Sequence, residues 1–508
     1  MGKAFHGSTV GWAGLVSTFP PHLEMVEDGE LPIREAFQPS YFSKKRNGSV
    51  TSSIFSLVST ILGGGILTLP YAFSEAGIIP CSCLLISVAV ASDFSAFTLA
   101  VCCRQGAAHT YEDVAALAFG ESGRTLSRIL VVLLTFLALV AYSILLREII
   151  ASFIGSSNHF LTAIIVGGLE IFILPLAMLT SFRSLRFTSV LCFCSVLVVA
   201  CCVAVQLSSC MARPKHSLHT SLLWPHDIIG IFRALPVLIC TFLCHFNVLA
   251  IQSELEDPSR ERVEQMVHGA VGMACLMYFF IGLSGDMYSD CEKCDTEDNI
   301  LSEISPEHLF DKVFLTIAKC MIACTLLFAL PMIASPCRDT LVRLWNAPAE
   351  VSAQAPRQAH QKYQHVPGEI NSNPLLEASL RVEDDEHTSF DTPRDCSRDS
   401  TLSSLGANSN KRMGIITLAT VTAAIFAVQF AVAMSIKSVS TVWAFIGSLV
   451  GPVIAFVIPS ASYLVMTSPT SKQAQNAPRR FGSIALLMFS GLTMCICTSI
   501  TLYDLIVG

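Results

Sequence analysis

Charged residues are scarce in this chain. Asp, Glu, Lys and Arg make up 14% of its 508 residues, whereas soluble domains carry about 25%. The sequence has no basic stripe that would bind the phosphates of a nucleic acid. The composition is 52% hydrophobic with a mean hydropathy of +0.58. An ordinary soluble domain is therefore excluded, and the composition indicates a protein of the lipid bilayer.

Other signals are missing as well. The first roughly 40 residues are polar and contain no apolar core followed by a small-residue cleavage site, so we expect no cleavable signal peptide and assign targeting to the first apolar run. No catalytic or metal-binding constellation is evident, so we expect neither an enzyme nor a cofactor. A charged ring or filter motif, which would indicate an ion channel, is not seen either.

Long apolar runs recur along the chain. A run of about 20 residues is long enough to cross a bilayer as a helix. We count about eleven such runs: 50–73, 77–102, 129–154, 160–180, 187–209, 229–251, 264–285, 309–336, 413–436, 441–467 and 481–503. The pattern predicts an all-α integral membrane protein.

Lysine and arginine are concentrated on alternate connections between these runs. One set carries Lys44, Lys45, Arg46, Arg104, Arg124, Arg128, Arg183, Arg186, Arg260, Arg262, Arg338, Arg343, Lys411, Arg412, Lys472, Arg479 and Arg480. The other set carries Arg213, Lys215, Lys293 and Lys437, with Arg233 and Lys312 near run ends. Since positive residues favour the cytoplasmic side, we expect a cytoplasmic N-terminus and an extracellular or lumenal C-terminus.

This topology divides the chain into four parts. They are a cytoplasmic segment 1–48, spans one to eight in 49–336, a long cytoplasmic loop 337–411, and spans nine to eleven in 412–508. The loop is rich in Ser, Asp, Arg, Gln and Pro and is too polar to bury a core, so we expect disorder. Residues 363–366, Tyr-Gln-His-Val, fit a tyrosine sorting signal. Such short matches are frequent by chance, so a plain linker is favoured.

The chain contains 20 cysteines. Those inside apolar runs behave as small hydrophobic residues, among them Cys192, Cys194, Cys201, Cys202 and Cys240. Cys291 and Cys294 form a C-x-x-C pair in an outer connection, which can be a metal or redox site, but no histidines flank it. Cys210, in the preceding outer connection, offers a partner in an oxidising compartment. A disulfide from Cys210 to Cys291 or to Cys294 is favoured.

Two of the apolar runs are interrupted near their middles. Ser53–Phe73 contains three successive glycines, Gly63 to Gly65, and Leu235–Ala250 contains the polar step Cys-His-Phe-Asn. Irregular backbone at membrane depth is tolerated only where protein or a cavity covers it. Paired interruptions in corresponding segments are typical of secondary transporters with inverted repeats. The sequence therefore predicts a solute carrier.

A broken helix suits a solute that carries both charges of a zwitterion. The half-helix that follows the glycines points unpaired N–H groups and a positive dipole at a carboxylate, and glycine lets the ligand approach the backbone. The carbonyls freed near His245–Asn247 can accept from an ammonium group. Close helix packing is the alternative explanation for the glycines.

Ionisable residues inside the spans are functional candidates by default. They are Asp93, Glu148, Glu170, His245 and Lys319. Glu170 and Lys319 both lie roughly 15 Å from the outer ends of their spans at a rise of about 1.5 Å per residue, so we expect a structural charge pair. His245 is either a hydrogen-bonded cap of the break or a proton carrier, since histidine titrates near neutral pH.

Several stretches together resemble the amino acid/auxin permease family, in the branch of sodium-coupled neutral and vacuolar amino acid transporters. The resemblance covers nearly all of 48–505 except the long loop. It is carried by Ser53–Phe73, Thr110–Gly120, Leu174–Leu179, Cys244–Asp257 and Phe456–Leu464. It implies a five-plus-five inverted repeat with an eleventh span, substrate held between spans one and six, coupling to sodium or protons, and external disulfides near spans six and seven.

The chain departs from the sodium-coupled members at two positions. They carry asparagine where this chain has Ser59, and threonine before the proline of span eight where this chain reads Phe-Ala-Leu-Pro at 328–331. Ala329 supplies no side-chain oxygen to a cation, so proton-linked or sodium-independent transport is favoured. The candidate coupling-ion residues are Ser59, Asp93, Glu148, His245 and Thr325.

We therefore expect a secondary active transporter of alpha-amino acids, a symporter with neutral substrates favoured, working by alternating access in the plasma membrane or a vacuolar or lysosomal membrane. The expected substrate contacts are Ser59, Thr60, Gly63, Gly64, Gly65, Cys244, His245, Phe246 and Asn247. Plain packing between helices is the alternative for Phe246. An amino acid sensor that keeps the same fold is the alternative function.

Overall fold

The computed structural model describes residues 48–106, 108, 110–154, 158–178, 186–212, 223–225, 227–292, 299–304, 308–364, 399–467 and 477–507. Within these ranges the chain is helical apart from short connections and one isolated bridge between Gly48 and Leu255. Ten helices are long and apolar enough to span a membrane, and a bent pair makes eleven. The predicted number of spans is confirmed.

The spans are numbered here in chain order. Span 1 is Val50–Ile61 with Gly64–Ala76, span 2 is Ile78–Gly106, span 3 is Tyr111–Ile154, span 4 is His159–Ala177 and span 5 is Arg186–Met211. Span 6 is Ile228–Thr241 with His245–Glu254, span 7 is Arg260–Glu292, span 8 is Leu309–Gln364 and span 9 is Asp399–Ser435. Span 10 runs through Val439–Phe445, Ile446–Val450, Val453–Val457 and Ile458–Met466, and span 11 is Ala477–Val507.

Spans 1 and 6 are both broken, and five spans begin with each of them. Because four spans lie between them, span 6 traverses the bundle in the opposite direction to span 1. The second half of span 1 packs against the first half of span 6, span 2 packs against both broken spans, and span 7 packs along span 1. Span 11 packs on spans 6 and 10 outside the two halves. This is the expected all-α inverted repeat of five plus five spans with one added helix.

Local signals set the ends of the broken spans. The Ser49 hydroxyl accepts from the backbone N of Ser52 at 3.2 Å, and the Asp227 carboxylate accepts from the backbone N of Ile229 at 3.4 Å. Both contacts satisfy a donor that a helix N-terminus leaves free. Gly77 ends span 1 with a φ of 75°, a left-handed conformation that glycine adopts without steric cost.

Span 10 is widened in its middle by two π-helical turns, Ile446–Val450 and Val453–Val457. Such turns are rare and occur frequently at functional sites. Hydroxyl groups from three other parts of the bundle donate to carbonyls there: Tyr111 to Ile454 at 2.9 Å, Thr498 to Ser448 at 3.2 Å, and Ser95 to Ala455. Side chains of spans 2, 3 and 11 thus hold the irregular backbone of span 10.

Helix continues into both ends of the segment 337–411. Span 8 runs on to Gln364, and the helix of span 9 begins at Asp399. Residues 365–398 lie outside the described residues, and they include residues 365 and 366 of the proposed sorting motif at 363–366. Disorder and a linker or sorting role for this segment remain predictions.

Candidate functional site

The first break lies at the triglycine of span 1. The helix ends at Ile61, Gly63 is extended with φ −87° and ψ −163°, and a 3-10 turn begins at Gly64. The two halves are bent by 54°. The backbone therefore leaves the α-helical path at the triglycine, where the sequence predicts an interruption.

The second break lies in span 6. Its first half ends at Thr241 and its second half begins at His245, with Cys244 as the N-cap residue. The Cys244 side chain makes no capping hydrogen bond. The backbone donors that open the second half therefore lack a side-chain cap from this position.

One tyrosine of span 7 joins the two breaks. The Tyr278 hydroxyl lies 2.5 Å from the Ile61 carbonyl oxygen and 2.9 Å from the Thr241 carbonyl oxygen. These are the last residues of the first half-helices, whose carbonyls have no partner in a helical ladder. Tyr278 is fully buried, so its hydroxyl takes the place of water at both freed carbonyls.

A second tyrosine, from span 3, meets the start of the other half of span 1. The Tyr142 hydroxyl accepts from the backbone N of Gly64 at 3.2 Å. A Cβ on Gly64 would lie 3.0 Å from the Tyr142 ring and 2.6 Å from the Leu145 side chain, closer than packing allows. Glycine is therefore required at this position by the approach of span 3.

The remaining contacts of the triglycine come from spans 5 and 6. The Cys192 thiol lies 3.1 Å from the Leu62 carbonyl oxygen. A Cβ on Gly65 would lie 3.0 Å from the Thr241 methyl group, so the two breaks are in direct contact. Among the described residues, the side chains that contact the triglycine are hydroxyl, thiol and methyl groups without a full charge.

The predicted hydroxyl contacts, Ser59 and Thr60, lie before the break. The Ser59 hydroxyl is 2.9 Å from the Ser56 carbonyl oxygen and donates to the Ser189 hydroxyl at 3.0 Å. The Thr60 hydroxyl donates to the same carbonyl at 3.1 Å. Both hydroxyls are thus engaged within span 1 and toward span 5, and substrate would have to compete with these bonds.

His245 opens the second half of span 6 and is fully buried. Its ring lies against the backbone of Ser92 and the Phe456 ring, with 6.4 Å between ring centroids. Neither ring nitrogen forms a hydrogen bond to any described residue. Phe246 and Asn247 follow it and are half-buried.

Asp93 is paired with a histidine that sequence analysis missed. The Asp93 carboxylate lies 2.6 Å from His268 Nδ1, and Glu264 lies 3.4 Å from Nε2 of the same ring. His268 is on span 7, and a histidine at that position shows no sequence signal beyond lying in an apolar run. Asp93 also lies near Cys244, so this cluster connects spans 2 and 7 to the second break.

Two other coupling candidates have neighbours of their own. Glu148 accepts from the Asn299 amide at 3.2 Å, while Asn299 caps a short helix by accepting from the backbone N of Leu301 at 3.2 Å. The Thr325 hydroxyl is 2.7 Å from the Ser195 hydroxyl. Glu148 therefore binds the segment that connects spans 7 and 8, and Thr325 links span 8 to span 5 by a hydrogen bond.

The predicted charge pair between Glu170 and Lys319 is wrong. The Glu170 carboxylate instead contacts the Ser143 hydroxyl and the Gln429 amide, each at 2.6 Å. Lys319 lies near Cys202 of span 5 and forms no ion pair within the described part of the chain. Residue number gives an expected depth along a span, but it does not determine which face of the helix a side chain occupies.

A disulfide joins Cys210 to Cys291, which is one of the two predicted pairings. Cys294 lies outside the described residues. The bond connects the end of span 5 to the end of span 7, at the face of the bundle that is here called the Cys210 face. The opposite face, where span 1 begins, is called the Gly48 face.

The broken spans are tied to each other or to their neighbours at both faces. At the Gly48 face, the backbone of Gly48 donates to the Glu254 carbonyl at 2.9 Å and accepts from the backbone N of Glu256 at 2.8 Å. At the Cys210 face, Arg233 of span 6 makes a bidentate bond to Asp504 of span 11, with both distances 2.8 Å. Arg233 also lies 3.7 Å from Glu75 of span 1.

The two tyrosines were also missed by sequence analysis. Tyr142 and Tyr278 lie deep within spans 3 and 7, away from the membrane interface where tyrosine is enriched. A buried tyrosine hydroxyl needs a hydrogen-bond partner. A tyrosine in the middle of an otherwise apolar run was therefore the sequence feature that could have indicated a polar site.

Comparison with known proteins agrees with this geometry. A family model described as transmembrane amino acid transporter protein matches residues 46–503. Amino acid transporter AVT6D of Arabidopsis thaliana is 26% identical over 281 residues, which is 49% of this chain and 63% of that protein. The putative sodium-coupled neutral amino acid transporter 11 of Danio rerio is 25% identical over 253 residues, which is 48% of this chain and 55% of that protein. The matches thus span less than two thirds of these relatives.

Solved structures with a similar course of the chain include the crystal structure of MhsT in complex with L-phenylalanine. It has a TM-score of 0.47 and 10% sequence identity, covering 89% of this chain and 100% of that chain. The family match extends from just before span 1 to the last turns of span 11 and includes both broken spans. The chain belongs to the transmembrane amino acid transporter family that its interrupted spans resemble.

Proposed function

We propose that the protein is a secondary transporter of alpha-amino acids that works by alternating access, with neutral substrates favoured. The observation that carries this proposal is the contact between two broken spans, whose freed backbone groups are met by the hydroxyls of Tyr142 and Tyr278. Free backbone donors and acceptors at membrane depth are a binding surface for a small dipolar solute. The names of the relatives, amino acid transporters, support the same substrate class.

The carboxylate of the substrate would lie at the triglycine. The backbone N–H groups of Gly63 to Gly65 open the second half of span 1, where the helix dipole favours an anion. The Tyr142 hydroxyl already contacts the Gly64 N–H and can turn to donate to a carboxylate oxygen. Ser59 and Thr60 would join by leaving the Ser56 carbonyl.

The ammonium group would lie toward the carbonyls at the ends of the first half-helices and around Cys244–Asn247. The Thr241 carbonyl has a second lone pair besides the one used by Tyr278, whereas the Ile61 carbonyl also accepts from the backbone N of Gly63 at 2.7 Å. Phe246 and Asn247 would then contact the substrate side chain. Since the side chains that contact the breaks are uncharged, a neutral substrate fits without a buried counter-charge.

Alternating access would open one tied face at a time. The backbone pair at Gly48 closes one face, and the Arg233 contacts with Asp504 and Glu75 close the other. The binding site would open to one face when the contacts at that face are released while the contacts at the opposite face stay formed. The distribution of lysine and arginine supports a cytoplasmic Gly48 face and an extracellular or lumenal Cys210 face, in a plasma or vacuolar membrane.

Sodium coupling is not favoured by the positions of the oxygen ligands. Ser59 contacts Ser189, whereas Thr325 contacts Ser195. Six residues of span 5 separate these contacts, about 9 Å along a helix. Since a cation site needs converging oxygens, a proton-linked or sodium-independent mechanism is the better proposal.

The test is uptake of radiolabelled alanine into liposomes that contain the purified protein. A panel of unlabelled neutral, cationic and acidic amino acids competes with the label, with and without sodium and at two pH values. We expect neutral amino acids to compete best and sodium removal to have little effect. Specific binding of the label without uptake would instead indicate a sensor and contradict the proposal.

A further inference from the structure

Three polar side chains form a closed ring between spans 3, 4 and 9. The Ser143 hydroxyl lies 2.6 Å from one Glu170 oxygen, and the Gln429 amide lies 2.6 Å from the other. Ser143 and Gln429 are themselves 2.9 Å apart. Gln429 and Ser143 are fully buried and Glu170 is 3% exposed. Each side chain of the ring therefore contacts both of the others at hydrogen-bond distance.

A count of hydrogens determines the charge on this ring. Three contacts require three hydrogens, one between each pair of oxygen or nitrogen atoms. The serine hydroxyl supplies one, and the glutamine NH2 supplies one to the single contact that it makes. An ionised glutamate supplies none, which leaves two oxygens in contact without a hydrogen. A protonated Glu170 supplies the third, and this count is the same if the Gln429 amide is turned over.

The surroundings of Glu170 offer no charge that would stabilise its anion. An apolar cluster packs between spans 3, 4, 8 and 9, and it contains Leu146, Ile150, Val166, Leu169, Ala323, Leu327 and Phe430. Within the described residues Glu170 has no cationic partner. A buried carboxylate without a cation is much costlier than a neutral carboxyl group that is fully hydrogen-bonded.

Ionisable groups on the helices that pack against span 4 have partners of their own. On span 3, the Arg147 guanidinium is bound to the Ala433 and Lys437 carbonyls, and Glu148 is bound to Asn299. On span 8, Lys319 lies near Cys202, and the Arg338 guanidinium is bound to Asp339 and to the Ala177 carbonyl, seven residues beyond Glu170. Span 8 also carries Cys320 and Cys324, span 4 itself begins at His159, and span 9 has no ionisable residue between Thr417 and Ser435.

We propose that Glu170 is a proton-binding site whose proton is released and regained during the transport cycle. Ser143 directly follows Tyr142, whose hydroxyl contacts the break in span 1. When the bundle opens, the O–H bond of the carboxyl group breaks and the proton passes to entering water. The contact of Ser143 with Gln429 then lacks a hydrogen, so spans 3 and 9 separate and Tyr142 moves with span 3. The coupling role rests on the proposed function, whereas the site itself does not.

The first test is independent of transport. Infrared difference spectroscopy of the full-length protein in lipid, recorded between neutral and alkaline pH, reports the C=O stretch of protonated carboxyl groups. We expect such a band in the wild type at neutral pH, its loss in Glu170→Gln and its retention in Glu148→Gln. Absence of the band from the wild type, or its retention in Glu170→Gln, would overturn the proposal.

The second test separates coupling from exchange in liposomes that contain the protein. In Glu170→Gln the amide restores three hydrogens to the ring without a titratable group. We expect this variant to keep counterflow exchange of alanine within roughly two-fold of the wild type but to lose accumulation driven by a pH gradient. Accumulation equal to that of the wild type would overturn the coupling role. Failure of the proposed function would be distinct, because counterflow would then be missing from the wild type and from Glu148→Gln as well.

Discussion

The Tyr142 hydroxyl accepts the backbone N–H of Gly64 at 3.2 Å. This bond links span 3 to the point where span 1 resumes after its break. The neighbouring residue on span 3, Ser143, contacts Glu170. Two adjacent residues therefore connect the triglycine to the buried carboxyl group. A movement of span 3 would change both contacts, which is the physical basis of the proposed coupling of substrate binding to a proton.

Replacing Gly64 with alanine is expected to abolish most uptake. The new Cβ would lie 2.6 Å from the Leu145 side chain and 3.0 Å from the Tyr142 ring, and overpacking of this kind costs about 1–3 kcal/mol. Initial uptake rates of alanine should fall roughly ten-fold or more. Gly168→Ala is the matched control, because a Cβ on Gly168 meets no atom within 4 Å. Equal uptake by the two variants would be incompatible with a close contact at the break.

Replacing Tyr278 with phenylalanine is expected to uncouple the two breaks. The Ile61 and Thr241 carbonyls would lose their shared donor. The Ile61 carbonyl keeps the backbone N of Gly63 as a donor, and a buried acceptor left without a partner, here the Thr241 carbonyl, costs about 1–3 kcal/mol. The variant should unfold at lower temperature in detergent and should transport more slowly. Size-exclusion chromatography after heating measures the first effect. Tyr503→Phe, at an exposed tyrosine of span 11, should behave like the wild type.

The disulfide gives a prediction for the Cys210 face. Loss of a native disulfide typically costs about 2–5 kcal/mol, so Cys210→Ser and Cys291→Ser should each lower thermal stability. The double variant should be no less stable than either single variant, since one bond accounts for both. Cys83→Ser, at an exposed free cysteine, is the control. Additive losses in the double variant would show that the two cysteines do not pair with each other.

Asp93 and His268 tie span 2 to span 7. Asp93→Asn would remove the charge from this contact, and because His268 is 39% exposed the cost should be only about 1 kcal/mol. We expect a modest loss of stability in a heating assay but a clear change in the pH dependence of uptake, since the imidazole loses the nearer of its two carboxylate partners. A pH profile identical to the wild type would show that this histidine does not titrate over the range in which transport occurs.

Sodium provides a further check. Replacement of sodium by choline, and the variant Thr325→Ala, should each change alanine uptake by less than roughly two-fold. The proposed mechanism needs no cation between the Ser59 and Thr325 hydroxyls, which contact different residues of span 5. Loss of uptake in choline, restored by sodium in proportion to its concentration, would show that a sodium site exists.

Much of the fold followed from simple regularities. Bilayer thickness determines the length of an apolar run, so eleven spans could be counted from hydropathy. The glycines at 63–65 and the polar step at 244–247 predicted the breaks, because neither pattern suits a continuous helix in lipid. Topology limited the disulfide to two partners for Cys210, and the structure joins it to Cys291.

The remaining side-chain contacts depend on how each helix is rotated about its own axis. Glu170 and Lys319 were expected at a similar depth, but the face that Glu170 occupies meets Gln429 and not Lys319. A rotation of a few tens of degrees about a helix axis decides such contacts, and hydropathy does not report it. For the same reason Tyr142 and Tyr278 could not be assigned to the breaks before the helices were packed.

The central claim is that backbone at the breaks binds the substrate. A structure of the protein determined by electron cryo-microscopy with a bound neutral amino acid tests it most directly. We expect the carboxylate about 3 Å from the N–H groups of the triglycine and from the Tyr142 hydroxyl, with the ammonium group at the carbonyls of Ile61 and Thr241. Substrate density away from both breaks, or α-helix running unbroken through Gly63–Gly65, would contradict the account.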